Sequence, residues 1–256
     1  MSDVTTQPAT RAEYCAVACA EIFAGAGEIF ASPMTPMATI GARLARLTTE
    51  PDLLITDGEY RFLGKTPPLG ETIDFEGYIP FPRVFDVLQA GTRHVVMGAN
   101  QIDKYGNQNL SAFGDDVQQP SRQMFGVRGA PGNTINHATS YWVGKHSTRV
   151  FAEKVDVVCG IGYDRYAEGD PAFRYHHIHR VVTNLGVFDF GGADRSMRAL
   201  SLHPGVTVDQ VNENTGFQIE GLEDAGVTRD PSPEELRIIR EVLDPRGVRD
   251  REVPTA

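Results

Sequence analysis

Three stretches carry groups that could act on a carbonyl. Residues 56–59 read Thr56-Asp57-Gly58-Glu59, a hydroxyl beside two carboxylates. Residues 98–107 read Gly98-Ala99-Asn100-Gln101-Ile102-Asp103-Lys104-Tyr105-Gly106-Asn107, and residues 128–133 read Arg128-Gly129-Ala130-Pro131-Gly132-Asn133. Carboxamides and glycine-flanked backbone N–H groups can donate hydrogen bonds to an oxygen that gains negative charge, because glycine lets the backbone come close to a ligand. The same Gly-Ala-Pro-Gly and Gly-Asn words also make ordinary turns, so composition leaves both readings open. No Gly-x-Ser-x-Gly elbow, P-loop or dinucleotide Gly-x-Gly-x-x-Gly stands in the strand–turn–helix setting that its chemistry requires. His176, His177 and His179 form an imidazole cluster, but no nearby cysteine or carboxylate pair completes a ligand set, and no metal is expected.

The first two stretches follow expected strands, where an open parallel sheet binds ligands, and the third is a Gly-rich turn. Thr10 and Glu13 make a capping box ahead of an Ala-rich helix. Glu28 to Ala31 reads as a strand. Thr35 then caps, and Pro36 opens, a helix striped by Met37, Ile40, Leu44 and Leu47. Leu53 to Ile55 follows as a buried strand, so strand, crossover helix and strand succeed one another, which predicts a parallel sheet. Arg83–Gln89 reads as a helix and His94–Met97 as a strand. Further strands are expected at 150–151, 155–159, 180–183 and 187–190, with helices at 208–212 and from Ser232 to Leu243. Residues 58–82 and 103–144 read as long Gly-rich loops of the kind kept for function. The expected fold is α/β, an open and mostly parallel sheet flanked by helices. It forms one domain over 10–245, with flexible tails at 1–9 and 246–256.

The chain has 256 residues, 41% of them hydrophobic, and a formal net charge of -10. That charge argues against nucleic acid and against anionic membrane surfaces as partners. Three cysteines, Cys15, Cys19 and Cys159, do not make a disulfide framework. With no apolar run near ~18 residues, a cytoplasmic location is expected.

Several of these stretches resemble the β subunit of class I coenzyme A transferases of the glutaconate type. The resemblance rests on Gly98-Ala99-Asn100-Gln101-Ile102-Asp103 with Tyr105-Gly106-Asn107-Gln108-Asn109. It extends through His146 to Phe151, Leu202 to Val206, Asn214 to Gly216 and the helix after Pro231. It implies the family's β-subunit fold and a homologous α partner in an α2β2 assembly. It also implies a coenzyme A thioester as substrate, with coenzyme A entering as part of that substrate and no separate cofactor. By the same resemblance, Gly129 and Ala130 would be oxyanion donors near the thioester carbonyl with Asn100 and Gln101 beside them, and Gly98, Ala99, Arg128, Gly132 and Asn133 would make coenzyme A or loop contacts.

One departure from the family matters most. Where the family carries the glutamate that attacks the thioester, this sequence has Thr56, followed by Asp57. A threonine hydroxyl without an adjacent base is a weak nucleophile. The sequence is similar in this respect to a hydrolytic, actinobacterial branch of the family that opens the last steroid ring of a coenzyme A-linked cholesterol catabolite by a retro-Claisen-like cleavage. There the general base is expected from the α subunit, and no residue of this chain is a certain catalyst. The alternative is an active transferase using Asp57 or Glu59, which needs a register shift of the strand end.

Overall fold

The computed structural model describes residues 7–56, 61–71, 74–90 and 93–253. Helix α1 (Arg11–Glu21) opens on the expected capping box: Thr10 Oγ1 accepts the Glu13 N–H, and the Glu13 carboxylate accepts the Thr10 N–H at 2.9 Å. Strand β1 (Phe30–Pro33) leads into Thr35, whose hydroxyl accepts the Ala38 N–H at the start of helix α2 (Pro36–Thr48). Strand β2 (Leu54–Ile55) follows. Strands β3 (Arg61–Leu63) and β4 (Phe75–Tyr78) pair antiparallel, so the segment expected as a loop over 58–82 carries a ribbon. Helix α3 (Phe81–Ala90) then precedes strand β5 (Arg93–Gly98).

The expected loop 103–144 is also largely ordered. Short strands β6 (Gln101–Ile102) and β7 (Gln108–Asn109) pair with each other, as do β8 (Ala112–Phe113) and β9 (Arg122–Gln123). Helix α4 (Ala130–Asn136) and strand β10 (Ala138–Val143) come next. Strand β10 escapes a hydropathy reading because Thr139 and Ser140 occupy it. Both are buried and bonded, Thr139 Oγ1 to the Asn133 carbonyl at 3.2 Å and Ser140 Oγ with His94 Nε2 at 2.9 Å. Conversely, 155–159 is not a strand, and Phe151 makes only an isolated bridge. Val155 and Cys159 are buried, but their backbone is tied at single points, such as the Cys159 N–H to the Gln108 carbonyl at 2.8 Å.

Strands β11 (His177–Thr183), β12 (Gly186–Asp189) and β13 (Arg198–Leu202) precede helix α5 (Val208–Glu213) and strand β14 (Gly226–Val227). Helix α6 (Pro233–Arg237) starts at the Ser232–Glu235 capping box and continues as a π turn over Ile238–Leu243. The short helix α7 (Arg249–Glu252) overturns the expectation of a loose tail after 245. Arg249 is buried against Asp244 and Glu13, and Glu252 accepts the Met37 N–H at 2.8 Å and the Trp142 indole N–H at 3.2 Å. Residues 1–6 and 254–256 lie outside the described residues.

The main sheet has eight strands in the order β14-β13-β12-β11-β10-β5-β1-β2, all parallel except that β12 runs against both its neighbours. Successive strand side chains point to opposite faces, and two cores follow from that alternation. Val96, Trp142 and Val182 pack beneath α1, α2 and the π turn, while Val95, Tyr141 and Val181 face the opposite core with Phe151, Phe188 and Met197. The strands at the centre are buried on both faces, as parallel strands between covering layers must be. No helix among the described residues is long and apolar enough to cross a membrane.

Candidate functional site

A pocket of 720 Å³ opens at the carboxyl ends of β1 and β5, where the parallel sheet predicts a ligand. Met34 and Thr35 contribute from the end of β1, Met97 and Gly98 from the end of β5, and Arg128, Gly129, Ala130 and Asn133 from the start of α4. Val84 and Phe85 of α3 and Leu110 close it, so most of its wall is apolar. Arg128 adopts a left-handed φ of 48°, turning the chain sharply into α4, and its guanidinium lies 5.1 Å from the centre of the Phe125 ring. Around the mouth, Met34, Phe85, Val127 and Phe125 are exposed, Phe125 by 77%.

The structure thus gathers five expected residues, Gly98, Arg128, Gly129, Ala130 and Asn133, around one cavity. A Cβ on Gly98 or Gly129 would meet neighbours no nearer than 3.9 and 3.8 Å, so both glycines leave free space on the ligand side. The Ala130 N–H, expected as an oxyanion donor, is already given to the Val127 carbonyl at 3.1 Å. Gly132 sits on α4 with open space around it but does not line the pocket.

Gln101 is a correction. Its side-chain oxygen accepts from Asn109 Nδ2 at 2.6 Å and from the Asp156 N–H at 3.0 Å, and its Nε2 donates to Asp156 Oδ1 at 3.2 Å. The oxygen is fully occupied and one of the two N–H groups is taken, so this carboxamide braces a hairpin, and Gln101 does not line the pocket. Asp103 is committed in the same way, accepting the Tyr105 and Asn107 N–H groups at 3.0 Å each. Gln108 donates to the Gly98 carbonyl, so this polar run supports the pocket wall from behind. Ala99 packs on the second core, and Asn100 gives its backbone N–H to the Asn109 carbonyl; neither lines the cavity.

Thr56 is buried, with 1% of its surface exposed, and its hydroxyl lies 3.4 Å from Ser32 Oγ. Ser32 accepts from Arg93 Nε at 2.9 Å, and Arg93 Nη1 donates to Asn133 Oδ1 at 2.9 Å. A continuous polar chain therefore runs from Thr56 to the pocket wall. Behind it, burial, with Arg93 nearby, lowers the His137 imidazole to about 4. Asp57 and Glu59 lie outside the described residues. Sequence reading missed Ser32, Arg93 and the apolar lining; an arginine opening a buried strand was the available signal, since such a charge must find partners. His177 and His179 stand 5.4 Å apart and His179 lies 5.6 Å from His94, an imidazole ladder away from the pocket. Among the described residues no group of three or more metal-ligating side chains could hold an ion.

Residues 83–214 match the family model of coenzyme A transferase. The chain is 69% identical to the IpdB subunit of the cholesterol ring-cleaving hydrolase of Rhodococcus jostii, over 99% of both chains. It is 63% identical to the corresponding subunit of Mycobacterium tuberculosis, over 95% of this chain and 98% of that one. The crystal structure of Rhodococcus jostii IpdAB superimposes with a TM-score of 0.94, covering 97% of this chain and 100% of the other. By the family model over half of its length and by its identity to these relatives, this chain belongs to the coenzyme A transferase family.

Proposed function

We propose that the chain is the β-type subunit of a heteromeric hydrolase that opens the last steroid ring of a coenzyme A-linked cholesterol catabolite. The observation that carries this reading is the 69% identity, along essentially the whole chain, to a cholesterol ring-cleaving hydrolase subunit. The chemistry at position 56 supports it. A buried threonine hydroxyl bonded toward Ser32 offers no carboxylate to form a thioester-derived anhydride, so water is the attacking group.

Water adds to a ring ketone, and the resulting alkoxide expels the neighbouring carbon as the ring carbon–carbon bond breaks. The electron pair moves onto the adjacent carbonyl as an enolate, which takes a proton. Attack and cleavage both place negative charge on oxygen, which is where preorganised hydrogen-bond donors lower the barrier. In this reading the pocket of Met34, Val84, Phe85, Met97 and Leu110 holds the apolar ring remnant, while Gly129 and its neighbours face the charged oxygen. A homologous α subunit supplies the general base in an α2β2 assembly, coenzyme A enters only as part of the substrate, and the pair works in the cytoplasm.

The test is to incubate the purified pair with a ring-containing coenzyme A thioester in 18O-labelled water. A ring-opened acid carrying the label is expected. Transfer of the coenzyme A group to a free carboxylic acid, with no labelled cleavage product, would overturn the assignment in favour of a transferase.

A further inference from the structure

Arginine carries only N–H donors, so the Asn133 atom that lies 2.9 Å from Arg93 Nη1 must be the carboxamide oxygen. That fixes which way the amide is turned. Its NH2 group faces the opposite side, 3.3 Å from Met97 Sδ and 3.8 Å from where a Cβ on Gly129 would stand. Met97 and Gly129 both line the pocket, and a thioether is a weak acceptor that engages only one of the two N–H groups. Arg93 is itself fixed. It is buried, its Nε donates to Ser32 Oγ at 2.9 Å, and its guanidinium lies 5.8 Å from the centre of the Phe30 ring. With the Ala130 N–H given to Val127, this wall of the cavity needs a donor other than that amide.

We propose that Asn133 Nδ2 donates a hydrogen bond to a carbonyl oxygen of the bound acyl group, and that Arg93 is the positioning residue that holds the amide in its donating orientation. The inference rests on the hydrolase reading above for its reaction but on this chain's own geometry for the contact. It makes this part of the pocket select for oxygen acceptors, a ketone or thioester carbonyl, and against donors.

Asn133→Asp keeps the volume and the contact to Arg93 but presents an acceptor to the pocket. In the assembled pair, kcat for ring opening should fall by about 10²–10³-fold and KM should rise by up to about tenfold, because the bond is made to the bound carbonyl and strengthens as its oxygen gains charge. Arg93→Lys keeps the charge but cannot span Ser32 and Asn133 with one planar fork, and kcat should fall by about tenfold. Because Arg93 acts through Asn133, the double variant should be no slower than Asn133→Asp alone; a merely structural arginine would give multiplied losses. A kcat for Asn133→Asp close to that of the wild type, in a pair that assembles normally by size exclusion, overturns the proposal, as do multiplied losses. If Arg93→Lys does not assemble, Asn133→Asp alone decides. If the wild-type pair opens no ring, the hydrolase reading fails separately. Calorimetric binding of acetoacetyl-coenzyme A, whose ketone and thioester carbonyls both offer acceptors, then tests the contact: about tenfold weaker binding by Asn133→Asp supports it, and equal binding overturns it.

Discussion

Gly129 is the residue where the difference between a structural and a functional role can be measured most cleanly. Its φ of -85° suits any amino acid, and a Cβ would touch only the Asn133 amide, at 3.8 Å. Gly129→Val should therefore leave the melting temperature nearly unchanged while its branched side chain enters the pocket. The expected loss of transition-state stabilisation is about 2–4 kcal/mol, comparable to removing an oxyanion donor, read from kcat/KM of the assembled pair. A variant of undiminished turnover would leave this chain a scaffold for its partner. Gln101 gives the opposite lesson. It stands in the most family-specific run of the sequence, yet its amide braces Asn109 and Asp156 and it does not line the pocket.

Helices α1 and α2 approach so closely that a methyl group at Gly41 would lie 2.5 Å from Cys19 Cβ and 2.7 Å from the Cys19 carbonyl carbon. Gly41→Ala should destabilise the chain by about 1–3 kcal/mol through overpacking, measured as a lowered urea midpoint with an unchanged slope. A midpoint equal to the wild type's would show that the two helices can part at no cost. The helices that sequence placed correctly were those with local signals: the Thr10, Thr35 and Ser232 caps each stand where residue spacing puts them. Elements whose stability comes from tertiary contact were illegible. Strand β10 carries buried Thr139 and Ser140, and the partner that matches Ser140 is His94, 46 residues away; 155–159 looks like a strand but forms none. The pocket was half legible for the same reason. Gly129 and Asn133 announce themselves in one run, whereas Arg93 and Ser32 lie 61 residues apart and meet only through the register of β1 with β5.

Across the molecule, burial holds an unusual number of histidines neutral. His94 and His146 are lowered to about 3, and His179, His137 and His203 to about 4, in each case chiefly by desolvation. A histidine whose folded pKa is depressed leaves stability intact above its unfolded value near 6.5 and costs stability as pH falls below it, because only the unfolded chain takes up the proton. Asp103 and Glu252, raised mainly by burial, act in the other direction, in the window between the ordinary carboxylate range and their raised folded values. Urea midpoints should thus be flat from about pH 7 to 8 and decline steadily from about pH 6.5 toward 4.5; a midpoint that rises over that interval would contradict this account. The exposed Phe125, Phe85, Val127 and Met34 around the pocket mouth bear on how cells must make this subunit. Bare rings on one orphan chain adhere to other bare rings, so synthesis out of step with its companion polypeptide should drive it into inclusion bodies. Translation of both from one message, in equal dose, should keep it in the soluble lysate.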